Sequence, residues 1–150
     1  MKKSLLLIIG LCLFVGCSEG DADPDLKVKE RASEFAEAYF NYDFERVQKL
    51  ITADSQKWLQ FAASNISQAD IDLLNSQQTS ATVEVESCEY VNDSTSLVTV
   101  SVRDFMQKDS IGQAGVMTDE GLFRLTLVEQ DGKQYVRMED LPRSDKQSRD

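Results

Sequence analysis

The sequence is organised around residues 32–51, which read ASEFAEAYFNYDFERVQKLI and carry its strongest helical pattern. The phase of this pattern changes at Asp43, which can cap a new helix, and a second apolar face begins at Phe44. The stretch therefore predicts two helices that meet at a corner, and the first should cross a sheet. The apolar residues of the first predicted helix are spaced by three or four positions, as on one face of a helix. They are Val28, Ala32, Phe35, Tyr39 and Tyr42.

Upstream of this stretch, residues 1–16 have the pattern of a secretory signal. Two lysines follow Met1, and the apolar run Leu5–Val15 is too short to span a bilayer comfortably. The ending Phe14-Val15-Gly16-Cys17 resembles the lipobox of bacterial lipoproteins, with Phe14 in place of the usual leucine. The resemblance implies a lipoprotein signal peptide and lipidation of Cys17 as the mature N-terminus. A generic cleaved signal followed by an unrelated cysteine is the alternative.

Residues 17–25 are a polar, acidic stretch that should act as a solvated tether. Ser18 after the cysteine is similar to sorting contexts that send lipoproteins to the outer membrane. We therefore expect a lipid-anchored protein of the cell envelope, in the outer membrane, with the face of that membrane left open. The early acids Glu19, Asp21 and Asp23 are also similar to export tethers of some surface lipoproteins, and a plain spacer is the alternative.

Downstream, the pattern passes from helices to strands. Ser67 and Asp70 predict a capping box for a further helix, and from Ala81 onward the apolar period drops to two. A turn is expected at Asp131-Gly132 and a bulge near Ser87. Residues 107–119 are expected to be a loop. Whether this loop covers a pocket as a lid or has no such role is left open. The predicted strands are Thr82–Val91, Leu97–Met106, Gly121–Glu129 and Lys133–Asp140.

Helices first and antiparallel strands afterwards predict an α+β domain over residues 26–142, with the helices packed on one face of a curved sheet of about four strands. Residues 143–150 are expected to be a polar tail. The pattern Phe35-x-x-Ala38-Tyr39-x-x-x-Asp43-Phe44-x-x-Val47-x-x-Leu50-Ile51 resembles the nuclear-transport-factor-2-like (cystatin-like) superfamily, and in particular its small bacterial lipoproteins of unknown function. The resemblance implies a sheet wrapped around a long helix, a pocket at the mouth of this cone, and a homodimer formed through the sheet's outer face.

Composition narrows the function. The chain has 26 acidic and 16 basic residues, a formal net charge of −10 and no histidine. Nucleic acid is disfavoured as a partner because phosphate binding needs clustered cations. The lack of histidine removes the commonest general base and the commonest metal ligand. No glycine-rich phosphate loop or cysteine cluster is present, so we expect no metal and no cofactor.

Four residues are candidates for a pocket in the cone. Tyr39, Tyr42 and Trp58 can line an apolar cavity or simply belong to the core. Asp104 continues the series Val98, Val100 and Val102, so strict alternation aims it toward the apolar face. A carboxylate held there would have a raised pKa and could act as a base, as in isomerase- or dehydratase-like members of the superfamily. The alternative places Asp104 at the strand's end, facing water.

Three functions follow from these features. A membrane-anchored, non-catalytic domain that binds a small apolar ligand or an envelope protein is favoured, since no histidine or convincing acid–base pair is present. A pocket enzyme with an aspartate and a tyrosine as its acid–base pair is the second. A structural envelope protein that dimerises through its sheet is the third. The sequence assigns no catalytic residue.

Overall fold

A computed structural model describes residues 24–108 and 112–144. The predicted signal peptide, Cys17 and all but the last two residues of the tether lie outside the described residues, as do residues 145–150 of the predicted tail. None of the helices in the described ranges is both long and apolar enough to cross a bilayer.

The N-terminal half of the structure is helical. Its helices are α1 (Pro24–Phe40), α2 (Phe44–Gln48), α3 (Gln56–Ser64) and α4 (Gln68–Ser76), with a 3-10 turn at Ala53–Ser55 before α3. The predicted corner is confirmed, because the Asp43 side chain accepts a hydrogen bond from the backbone N–H of Arg46 at 3.2 Å. Tyr42 adopts a positive φ of 61° just before this cap, in the turn between α1 and α2.

The second half is one antiparallel sheet in the order β1-β2-β3-β4. The predicted bulge and turn are confirmed, by a register shift between Val85 and Ser87 and by positive φ at Asp131 and Gly132. Two predicted limits are wrong. The β2–β3 connection covers only residues 108–115 because both strands are longer than expected, and β4 ends at Arg137 rather than Asp140. The strands are β1 (Thr82–Tyr90), β2 (Thr95–Gln107), β3 (Val116–Gln130) and β4 (Lys133–Arg137).

The core lies between α1 and the inner face of the sheet. Ala32 and Phe35 of α1 are fully buried, as are Val98 and Val100 of β2 and Leu127 of β3. Burial of such side chains contributes about 1.5–3 kcal/mol each for the larger ones, which is why α1 stays on the sheet. The α+β architecture of helices packed on an unclosed antiparallel sheet is the expected one, and the fold prediction is confirmed.

Helix α1 and strand β1 run side by side in opposite directions. At one end the Asn41 side chain both accepts from the N–H of Ala81 at 2.8 Å and donates to its carbonyl at 3.2 Å. At the other end the Tyr90 hydroxyl donates to the Asp25 carboxylate. We call the end with Asn41 and Ala81 the upper end and the end with Asp25 and Tyr90 the lower end. The 17 residues of α1 separate them by about 25 Å.

Candidate binding pocket

A cavity of about 360 Å³ opens at the upper end, between the end of α1, the end of α3 and the sheet. Helix α1 reaches it because its apolar stripe continues through Tyr39 and Phe40 to the corner at Tyr42. Much of the lining is aromatic, as in pockets that take small apolar molecules. The aromatic lining residues are Tyr39, Phe40, Tyr42, Phe44, Phe61, Phe105 and Phe123.

The floor of the cavity is a set of interlocked rings. The Phe40 ring centroid lies 4.5 Å from that of Phe123 and 5.3 Å from that of Phe105. The Phe40–Phe105 and Phe105–Phe123 pairs are edge-to-face, an arrangement that adds about 0.5–1.5 kcal/mol per pair beyond area burial. Each ring is held by its neighbours, so this floor is rigid before any ligand arrives.

The last described segment of the chain forms one side of the cavity. After β4 the chain leaves the sheet at Met138, whose N–H donates to the Ser55 hydroxyl at 2.7 Å. It returns at Ser144, which pairs with Phe123 of β3. Residues 140–143 bulge out between these two points and line the cavity. At the rim, Arg143 pairs with Asp140 at 3.2 Å, and both side chains are more than half exposed.

The two tyrosines of the cavity have different roles. The Tyr42 hydroxyl donates to the Met106 carbonyl at 3.0 Å and so ties the corner to β2. No hydrogen bond to the Tyr39 hydroxyl occurs within residues 24–108 and 112–144. Burial raises the pKa of both hydroxyls above the ordinary value. The nearby Tyr42 and Asp140 raise the pKa of Tyr39 further, and Asp70 raises the pKa of Tyr42 further. At neutral pH both are therefore neutral donors.

A buried ion pair stands beside the cavity. The Lys108 ammonium donates to the Asp70 carboxylate and, at 2.6 Å, to the Asn65 carbonyl. The Asp70 side chain is 0% exposed and that of Lys108 is 14% exposed. Asp70 also accepts from the N–H of Gly115 at 2.7 Å and of Ser67 at 2.9 Å. This pair joins α4 to the β2–β3 connection, and Lys108 and Asn65 both line the cavity.

The environment of Asp70 keeps it ionised. Burial alone would raise the pKa of this carboxyl, but hydrogen bonds from Lys108, Gly115 and Ser67 together lower it below its ordinary range. Sequence reasoning found the capping box of Ser67 and Asp70, which is confirmed, but missed the ion pair. Lys108 lies 38 residues downstream, between Gln107 and Asp109, and gave no local signal for this partner.

Of the two placements predicted for Asp104, the structure has the one that faces water rather than the one in the apolar face. Its backbone adopts a φ of 55°, the left-handed region, which interrupts the alternation of β2. Phe105 therefore takes the core position at 1% exposure, and the Asp104 side chain is exposed. Asp104 does not line the cavity, so it is not brought together with Tyr39 and Tyr42.

Trp58 is likewise absent from the cavity lining. Its half-buried ring packs against the core, with the Lys57 ammonium 5.6 Å from the ring centroid. In its place the aromatic residue that α3 contributes to the cavity is Phe61, 36% exposed at the rim. The described residues contain no group of three or more acidic, cysteine or histidine side chains able to hold a metal ion.

Solved structures include neighbours that are similar to this chain. No protein-family model matches the chain, and a search of curated proteins finds no match. Among solved structures, the chain is similar to an "Ntf2 like protein involved in plasmid conjugation", with 16% sequence identity and a TM-score of 0.48. The matched region covers 80% of this chain and 48% of that protein, so this chain spans about half of the neighbour's length.

Proposed function

We propose that this chain is a non-catalytic binding domain of the cell envelope, anchored through a lipid on Cys17, whose upper cavity takes a small and mainly apolar molecule. The observation that carries the proposal is the aromatic cavity with Tyr39 in its lining. The Tyr39 hydroxyl has no hydrogen-bond partner in the described parts of the chain, so it is available to a ligand. An apolar body with one hydrogen-bond acceptor, such as a ketone, fits this chemistry.

Asp70 and the two tyrosines of the cavity support binding over acid–base catalysis. A general base must be able to accept a proton near neutral pH. The lowered pKa of Asp70 and its hydrogen bonds from Lys108, Gly115 and Ser67 make it a poor proton acceptor. The tyrosines have raised pKa values and remain protonated, so they can donate hydrogen bonds but not act as bases.

The homodimer through the outer face of the sheet stays a prediction. Leu122 is exposed on that face at 41%. Its surroundings are polar, because Glu120 on the same strand accepts from Ser101 at 3.0 Å and lies 3.9 Å from the Arg103 guanidinium. A face of this kind lacks the contiguous apolar patch that usually marks an interface, which is why we place binding in the cavity.

Titration with prodan, a fluorescent naphthyl ketone, tests the cavity on the chain that begins at Ser18, prepared without lipid. We expect a blue shift on binding, since the apolar cavity excludes water from the dye. Ala62 lines the cavity whereas Ala63, the next residue of α3, is exposed. Ala62→Trp should fill the cavity and abolish binding, and Ala63→Trp should bind as the unmodified chain does. Equal affinity in these two variants would place the dye elsewhere.

The hydroxyl of Tyr39 is tested by a second matched pair. Tyr39→Phe should weaken prodan binding about two- to tenfold, since one hydrogen bond contributes about 0.5–1.5 kcal/mol. Tyr42→Phe should weaken binding less than Tyr39→Phe does, because its hydroxyl already bonds the Met106 carbonyl and acts only by holding the corner in place. A loss in Tyr42→Phe but not in Tyr39→Phe would reverse the assigned roles.

A further inference from the structure

The lower end of the domain exposes three large apolar side chains. Leu26 is 50% exposed, Tyr90 54% and Val91 58%. Leu26 is in the first turn of α1, whereas Tyr90 and Val91 end β1 and begin the turn to β2. The hydrogen bond from the Tyr90 hydroxyl to Asp25 brings these two segments together, so the three side chains share one end of the molecule.

This end is also where the chain leads back to the proposed lipid anchor. Cys17 precedes Pro24 by seven residues, and seven residues span at most about 25 Å when fully extended. The start of α1 therefore stays within that distance of any membrane that holds a lipidated Cys17. The cavity lies a further helix length away, about 25 Å along α1.

We propose that the lower end rests on the lipid surface, with Leu26, Tyr90 and Val91 in the headgroup region, so that the cavity opens away from the membrane. The inference rests on the proposed lipidation of Cys17. A tyrosine beside aliphatic side chains suits this region, since the ring is apolar and its hydroxyl is polar. In this orientation a ligand or its carrier approaches the cavity from the aqueous side.

The charges around the lower end indicate which lipids this surface fits. Exposed or half-exposed charges near the three side chains are the acids Asp25, Glu89 and Asp93 and the cations Lys27 and Lys29, of which Lys29 pairs with Asp25 at 3.7 Å. Three acids against two cations leave a small negative excess and no basic cluster of the kind that attracts anionic headgroups. The contact is therefore apolar, and it should be strongest on zwitterionic phosphatidylcholine or phosphatidylethanolamine.

Depth-dependent quenching in vesicles tests this orientation with the full lipidated chain. Val91→Trp marks the lower end, and Val116→Trp marks the upper end at a residue that is 62% exposed. Both variants keep Trp58, so the unmodified chain gives the background. In phosphatidylcholine vesicles with brominated acyl chains, we expect about twofold or greater quenching of Val91→Trp over Val116→Trp, since interfacial side chains reach the acyl boundary. Adding Leu26→Gln to Val91→Trp should reduce its quenching.

The outcomes separate this inference from the proposed anchor. Vesicle sedimentation reports anchoring, and Cys17→Ala should leave the protein in the supernatant. If the lipidated chain sediments but neither tryptophan is quenched beyond the background, or both are quenched equally, the orientation is overturned and the anchor stands. If the chain with Cys17 does not sediment, or Cys17→Ala still does, the anchor itself is overturned. Stronger quenching on phosphatidylglycerol than on phosphatidylcholine would overturn the apolar nature of the contact.

Discussion

The upper and lower ends of the domain are held together by contacts of opposite kinds. At the upper end a carboxylate with no exposure, Asp70, accepts from Lys108 and from two backbone N–H groups, and the Tyr42 hydroxyl bonds the Met106 carbonyl. At the lower end Asp25 bonds Tyr90 and pairs with Lys29 at 3.7 Å, with about two fifths of each charged side chain exposed.

This difference matters because water decides what a polar contact contributes. An exposed ion pair contributes about 0–1 kcal/mol, whereas removing one partner of a buried pair costs about 3–5 kcal/mol since the other charge is left unpaired. The cavity therefore lies at the end that is fixed by buried polar contacts. Preorganisation of this kind favours ligand affinity. The contacts at the lower end are exposed and weak, so they hold that surface less firmly.

Breaking the upper end should give the largest effect. Lys108→Met keeps the length of the side chain but leaves the Asp70 carboxylate buried without its cation. We expect the free energy of unfolding to fall by about 3–5 kcal/mol, measured by urea unfolding of the chain that begins at Ser18. Prodan affinity should fall as well, because Asn65 in the cavity lining loses its bond to Lys108. A loss below about 1 kcal/mol would put this pair in the exposed class.

The pH dependence of stability is a second test of the buried contacts at the upper end. The folded state lowers the pKa of Asp70, so its contribution is fully present above the unfolded value of about 3.9 and is lost as pH falls below it. Asp70→Asn removes this titration. The difference in unfolding free energy between the unmodified chain and Asp70→Asn should therefore be large at neutral pH and shrink toward pH 3. A difference that stays constant over this range would show that Asp70 does not titrate with folding.

Features encoded within a few residues could be predicted from the sequence. The cap at Asp43, the capping box of Ser67 and Asp70 and the turn at Asp131-Gly132 each depend on side chains and backbone preferences of neighbouring positions. The alternation of apolar residues likewise predicted four strands and their inner face. From these local rules the α+β fold followed.

Features that depend on the assembled structure could not be predicted. The partners Asp70 and Lys108 are 38 residues apart, and only the packing of α4 against the β2–β3 connection brings them together. Asp104 shows where the apolar alternation fails as a guide. Its φ of 55° interrupts the alternation of β2, so Phe105 rather than Asp104 lies in the core. The apolar stripe of α1 predicts Tyr39 and Tyr42 as lining residues of a cavity, and both line it. The wall of the cavity at residues 140–143 depends instead on the return of the chain to the sheet at Ser144.

The smallest effect is expected at the lower end, from the same chemical change that should disrupt the upper end. Lys29→Met removes a lysine whose side chain is 43% exposed and whose partner, Asp25, remains hydrated. The free energy of unfolding should change by less than about 0.5 kcal/mol, and the residual effect should vanish in high salt, which screens exposed pairs. Urea unfolding of Lys29→Met beside Lys108→Met measures the contrast directly. If both variants lose stability equally, burial does not distinguish the two ends, and the rigidity assigned to the cavity has no basis in the ion pair.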